Sequence, residues 1–210
     1  LSFSRGLIPD SSSVTEADID KLLENVEKAH KEIQLTTDLS DACKDTDLII
    51  ESMAENPEAK REFYKAIDPF LSENTIVATN SSSMVPSQFR DCLSRPENYL
   101  AIHFANNIWK SNTAEIMGHD GTSKEAYEAV ANFASEIKMI PLRLHKEQPG
   151  YILNSMLIPF LSAGEMLLAK EVADPATIDL TWRLGTGSPL GPFQILDIVG
   201  LNTALNIVSN

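Results

Sequence analysis

"AIHFANNIWKSNTAEIMG", residues 101–118, is two apolar runs joined by a polar one. The first run delivers His103 and the second delivers Glu115, so two water-avoiding segments each carry one ionisable group. Residues 99–104 (YLAIHF) and 113–119 (TAEIMGH) read as strands, and 105–112 is polar enough to be the loop between them. If the strands are neighbours, His103 and Glu115 meet at one sheet edge. A carboxylate on one imidazole nitrogen fixes the tautomer and raises basicity, which leaves the other nitrogen to move a proton. On spacing alone the plainer reading weighs more: a satisfied strand-end histidine and a solvent-facing glutamate.

Working outward, residues 45–52 (DTDLIIES) and 74–83 (NTIVATNSSS) read as two further strands, the second running into a polar turn. Between them, Asn56 and Pro57 form a strong helix start, and Ala59, Phe63, Ala66, Ile67 and Phe70 mark one apolar face. Residues 15–34 have helical spacing with Thr15 as N-cap, and residues 122–138 are an amphipathic helix capped by Thr122 or Ser123. Residues 140–145 close the run as a strand. This strand–helix–strand rhythm predicts a parallel α/β sheet. After residue 146 the pattern becomes helical. Residues 151–171 are apolar almost all round, which predicts a buried helix kinked at Pro159. The segments DPATIDLTWRLG, PLGPFQILDIVG and LNTALNIVSN follow, all helical in pattern. The domain change falls at KEQPG, giving domains 1–146 and 147–210.

The chain has 210 residues, 43% of them hydrophobic and 22% charged, with a formal charge of −13. That balance argues against nucleic acid and against an anionic membrane surface, both of which need Lys/Arg patches. It does not forbid an anionic small molecule. The longest apolar stretch, residues 151–163, is too short to span a membrane and is interrupted by Asn154 and Pro159. Cys43 and Cys92 form no CxxC and no metal spacing, and no secretory leader is evident, so a cytoplasmic setting is expected.

Other polar groups could converge on the histidine. Asn80 and Ser82 would lie at the carboxyl end of a strand, where open parallel sheets bind ligands; they also suit a plain capped turn. Glu55 and Lys60 flank a helix start at the same end, where surface charge near a helix terminus is ordinary. Asn154 sits in an apolar helix and needs hydrogen-bond partners. The glycine-rich stretch GTGSPLG, residues 185–191, is not a phosphate loop. A helical pattern precedes it and Pro189 lies inside it, so it reads as a turn between helices.

Taken together, ESMAENPEAK (51–60), TNSSSM (79–84), AIHFANN…AEIMG (101–118), QPGYILNSML (148–157) and GTGSPLGPFQILDIVGL (185–201) occur in the order and spacing of the 3-hydroxyacyl-CoA dehydrogenase family, which residues 45–205 resemble. The resemblance implies an α/β Rossmann-type NAD-binding domain followed by an all-α domain through which a homodimer forms. It makes His103 the general base, Glu115 its orienter, and Ser82 and Asn154 the residues that hold the substrate 3-oxygen. It places Glu55, Lys60, Asn80, Ser82 and Asn106 around the cofactor, with Lys60 also toward CoA. The implied activity is NAD-dependent oxidation of a 3-hydroxyacyl-CoA, or its reverse. Two departures are visible. The family's proline-rich continuation after His-Phe-x-Asn is NIWKSN (107–112) here, which raises the alternative of a free 3-hydroxy acid as substrate. The family's first strand, glycine-rich turn and first helix are not found before residue 1, nor its last helices after residue 210. The first domain is therefore expected to be N-terminally incomplete and the second C-terminally incomplete. A catalytically silent binding homologue is the reading from a different class.

Overall fold

The computed structural model describes residues 15–200. In chain order these form α1 (Glu16–Glu32), α2 (Leu39–Cys43), β1 (Leu48–Glu51), α3 (Pro57–Ile67), β2 (Ile76–Thr79), β3 (Tyr99–Phe104), β4 (Thr113–Gly118), α4 (Lys124–Glu136), β5 (Ile140–Arg143), α5 (Leu153–Ala169), α6 (Pro175–Thr186) and α7 (Pro192–Val199). The expected helical pattern at 201–210 lies outside the described residues. The chain divides into two compact units, Leu1–Tyr151 and Ile152–Asn210. No helix among the described residues is long and apolar enough to cross a membrane, and Cys43 and Cys92 are free thiols.

The first unit is a Rossmann-like sheet with helices. Its strand order is β1-β2-β3-β4-β5. β1, β2 and β3 run parallel, and β4 and β5 are parallel to each other. β3 and β4 are antiparallel, which corrects the expectation of a parallel sheet. The reason is length: residues 105–112 are too few for a crossover, which needs a dozen or more residues, so the chain can only turn back. β4 and β5, separated by the helix α4, satisfy the crossover rule and pair in parallel.

Side chains alternate across the sheet, and so do the cores. Leu100, Ile102, Ala114 and Ile116 face one side and pack with Val130, Ala131 and Ala134 of α4. On the other side Val77 and Tyr99 pack with Cys43, Tyr64 and Ile67 from α2 and α3. Further along that face, Ala101 and Met117 meet Val85, Leu144 and Tyr151.

Helix starts follow the local signals. Thr15 accepts from the Asp18 amide, whose carboxylate in turn accepts from the Thr15 amide. Asn56 accepts from the Ala59 amide, with Pro57 opening α3, and Ser123 rather than Thr122 caps α4. The buried residues of α3 are Lys60, Tyr64 and Ile67; of the expected stripe Ile67 is buried and Phe63 packs against the core, while Phe70 is exposed.

In the second unit α5 passes through Pro159 and buries Leu161 and Gly164, while Met156 and Met166 are exposed. This corrects the expectation of a helix buried all round. GTGSPLG ends α6 and makes the turn into α7. Gly187 takes a left-handed φ of 75° as the C-cap of α6, and Gly191 precedes α7. Asp179, buried on α6, accepts from the Phe193 and Gln194 amides at 2.8 and 3.0 Å, so it caps α7 from a neighbouring helix.

That cap depends on close approach. A Cβ on Gly191 would lie 2.4 Å from the Asp179 Cα. Gly191→Ala is therefore expected to cost about 1–3 kcal/mol or more by overpacking, read as a lowered melting temperature by circular dichroism. An unchanged melting curve would contradict the close contact.

Candidate active site

The site starts from a register. His103 on β3 stands directly opposite Glu115 on β4. Facing residues of an antiparallel pair put their side chains on the same face within reach of one another. The imidazole Nδ1 lies 3.0 Å from Glu115 Oε2, and both side chains are buried. An ionised carboxylate can only accept, so Nδ1 carries the proton and Nε2 is the nitrogen not tied to Glu115. The Tyr151 ring stacks on the imidazole, with centroids 4.7 Å apart and planes 25° from parallel.

A second set of groups lines the carboxyl ends of β1 and β2. Glu51, last in β1, is buried and accepts from four donors. Lys60 Nζ and the Met53 amide reach Oε1, each at 2.6 Å; Tyr64 Oη and Thr79 Oγ1 reach Oε2 at 2.7 and 2.8 Å. Tyr99 Oη donates to Tyr64 Oη at 3.0 Å, extending the chain of hydrogen bonds. Burial alone would push the Glu51 carboxyl up, but these four donors outweigh it and hold it below the ordinary carboxylate value. Burial pushes the Tyr64 and Tyr99 hydroxyls up, so both stay protonated and able to donate.

Glu55 sits in front of this cluster. Its Oε1 is 3.6 Å from Lys60 Nζ, and its Oε2 accepts from Ser81 Oγ and Ser83 Oγ, each at 2.7 Å. One carboxylate oxygen thus grips the residues on both sides of Ser82, and Ser82 stands exposed at the turn. Asn80 bonds the strand ends together. Its amide donates to the Glu51 carbonyl at 2.8 Å, and its Oδ1 accepts from the Phe104 amide, next to His103, at 3.0 Å. Asn106 is exposed in the 105–112 connection. Asn154 lies in the first turn of α5, in the second unit.

Of the expected residues, the first unit therefore brings His103 together with Glu115, and Glu55 together with Lys60 and the serine turn. Lys60 is placed otherwise than expected. Its side chain is 0% exposed and its ammonium is held by Glu51 and Glu55, because a buried cation must be paired. Its ammonium therefore faces two carboxylates of this chain. Sequence reasoning missed Glu51, Tyr64, Ser81, Ser83 and Tyr151. A strand-end glutamate nine residues before a lysine, with a tyrosine one turn further on, was the available signal for the first two. No local pattern announced Tyr151. No group of three or more metal-ligating side chains occurs among the described residues.

A sheet whose parallel strand ends carry the polar groups, followed by a helical unit, is the architecture of a Rossmann-type dinucleotide-binding protein with a helical second domain. The chain belongs to the 3-hydroxyacyl-CoA dehydrogenase family: residues 11–148 match the family model for its NAD binding domain, and residues 150–210 match the one for its C-terminal domain. It is 34% identical over 185 residues to the mitochondrial hydroxyacyl-coenzyme A dehydrogenase of Homo sapiens, covering 88% of this chain and 59% of that protein. It is 32% identical over 177 residues to the 3-hydroxybutyryl-CoA dehydrogenase of Clostridioides difficile, covering 84% and 62%. The chain thus spans about three-fifths of the length of these relatives. Among solved structures, a diketoreductase described as acting on dicarbonyl compounds superposes with a TM-score of 0.82 at 42% identity, covering 94% of this chain and 76% of that one. An (S)-3-hydroxybutyryl-CoA dehydrogenase from Ralstonia eutropha superposes with a TM-score of 0.78 at 26% identity, covering 95% and 75%.

The Glu51–Lys60 pair is expected to dominate the stability of this edge. Lys60→Met leaves a buried carboxylate unpaired and is expected to cost about 3–5 kcal/mol, measured by urea denaturation. Because the folded Glu51 carboxyl titrates below its unfolded value of 4.5, its stabilisation is complete above that value and disappears as pH falls through the lowered one. The stability gap between wild type and Glu51→Gln should therefore narrow on acidification; a gap independent of pH would contradict the assigned shift.

Proposed function

We propose that this chain carries the proton-transfer centre and the nicotinamide-facing edge of an NAD-dependent oxidoreductase that interconverts a 3-hydroxyacyl-CoA and its 3-oxo form. The observation that carries the reading is the buried His103–Glu115 pair, set by strand register beside the carboxyl ends of β1 and β2. In the oxidative direction His103 Nε2 takes the proton of the 3-hydroxyl. In the reductive direction the imidazolium returns it to the forming alkoxide. Glu115 keeps the proton on Nδ1 and offsets the positive charge of the imidazolium. Ser82, exposed between the two serines that Glu55 grips, hydrogen-bonds the 3-oxygen. The assignment of Asn154 to that oxygen rests on the family resemblance.

The groups toward the cofactor fit an amide and ribose hydroxyls. Glu55, Ser82 and Asn106 offer uncharged donors and a carboxylate at the strand ends, and Asn80 holds those ends in line. Lys60 fixes Glu55 from behind. The nicotinamide, when bound, supplies the hydride chemistry. A homodimer through the helical unit accords with its exposed Met156, Leu184 and Ile198.

A second reading is supported by the diketoreductase at 42% identity and by the NIWKSN loop, where Ile108 and Trp109 are exposed. In it the same acid–base pair serves a dicarbonyl or free 3-hydroxy acid without CoA.

The deciding measurement is NADH consumption by the intact protein with acetoacetyl-CoA, and in parallel with a 3-oxo ester that lacks CoA. The first reading expects turnover of the thioester. His103→Gln should lower kcat by about 10²–10⁴-fold with NADH binding, followed by fluorescence, retained. Turnover of the CoA-free compound alone would establish the second reading. NADH binding without turnover of either would point to a silent homologue, and undiminished turnover by His103→Gln would sink the mechanism.

A further inference from the structure

We infer that Tyr151 is a positioning residue for His103, its ring fixing the plane of the imidazole and favouring the imidazolium that forms when Nε2 takes a proton. The inference rests on the acid–base role proposed above. It begins from two contacts on different parts of the ring, one at its edge and one on its face. The bond from Nδ1 to Glu115 lies in the imidazole plane and fixes one edge of the ring. The Tyr151 ring stacks on the imidazole, with centroids 4.7 Å apart and planes 25° from parallel, and covers its face. Neither alone defines where Nε2 points; the two together do.

Tyr151 is itself firmly placed. It is completely buried and packs among Val85, Ala101, Met117 and Leu144. Its backbone has a φ of 54°, immediately after Gly150 at 75°. A side-chain-bearing residue rarely adopts that left-handed conformation and keeps it only where the surroundings determine it. The surroundings here are explicit: the Glu147 carboxylate accepts from the Ser87 amide, the Gln148 amide meets Met117 Sδ, and the Tyr151 amide donates to the Gln148 carbonyl. The segment from Glu147 to Tyr151 is thereby tied to β4 and to the chain after β2, and the turn lays the phenol ring on the imidazole.

The electronic part follows from ring charge distribution. The face of a tyrosine is electron-rich and attracts a cation above it, more strongly where water is excluded. The phenol stays neutral, since burial pushes its hydroxyl up. The ring therefore acts by its face and not by a charge of its own. The carboxylate against His103 is Glu115 on β4, and the other carboxylates nearest this edge, Glu51 and Glu55, are held in place by Lys60. All of these remain in place when the ring alone is changed.

The test titrates the His103 imidazole by NMR, its resonance identified by its loss in His103→Gln. Tyr151→Phe keeps the ring and should retain the wild-type midpoint. Tyr151→Leu should lower the midpoint by about half a unit or more. Replacement of Tyr151 by pentafluorophenylalanine, which keeps a planar ring but reverses the charge of its face, should lower it in the same direction and covers the case in which the leucine variant does not fold. If the protein turns over acetoacetyl-CoA, the lower limb of the pH profile for kcat/KM in the oxidative direction should move with the NMR midpoint. Its kcat should fall about tenfold in Tyr151→Leu, with KM within about twofold. A wild-type midpoint in the fluorinated variant would overturn the inference. Absence of turnover, by contrast, would count against the proposed function and leave the titration result to stand by itself.

Discussion

Taking a carboxylate out of water costs several kcal/mol unless its lone pairs are filled. Glu51 meets that requirement with four donors drawn from the loop after β1, from α3 and from β2. The geometry of the whole carboxyl edge follows from this. Lys60 can be buried because Glu51 is there, and Glu55 is held beside the serine turn by the same ammonium. Asn80, bonded to the Glu51 carbonyl, reaches across to the Phe104 amide and sets the end of β3. His103 is the residue before Phe104, so the position of the proposed base is traced back, through three strands, to one filled carboxylate.

Much of this was legible in the sequence. The five strands follow from short apolar runs, and α1, α3, α4 and α6 begin where Thr15, Asn56, Ser123 and Asp174 offer a side-chain oxygen to the first turn. The His103 and Glu115 runs were visible as strands bearing single ionisable groups. The strand direction was misread because the strand–helix rhythm was allowed to outweigh the length of residues 105–112. On α3 the burial of Ile67 was legible but that of Lys60 and Tyr64 was not, because apolar character was taken as the mark of burial, whereas Lys60 is buried by pairing. Tyr151 was not legible, since its contact with His103 is made across 48 residues of chain by a left-handed turn that no spacing encodes.

The family is shared with dehydrogenases named for acyl-CoA substrates and, at higher identity, with a diketoreductase. The site separates what these could have in common from what could differ. On the proposed function the proton step needs a base with a fixed tautomer, and the β3–β4 ladder holds His103 against Glu115. On the same proposal, recognition of the rest of the substrate falls to groups outside the ladder, such as the exposed Ile108 and Trp109 in the connection after β3.

The antiparallel join of β3 and β4 has a consequence for how such a protein can change. A ladder fixes side chains in steps of two, so a residue inserted within either strand would carry His103 or Glu115 to the opposite face. Insertions and replacements inside 105–112 leave both strands, and hence the pair, where they are. The turn is thus a stretch of chain free to vary in length and chemistry while bracketed at each end by one half of the proposed proton-transfer pair. On the proposed function, divergence in substrate range can then accumulate in a few contiguous codons without passing through forms that have lost the pair.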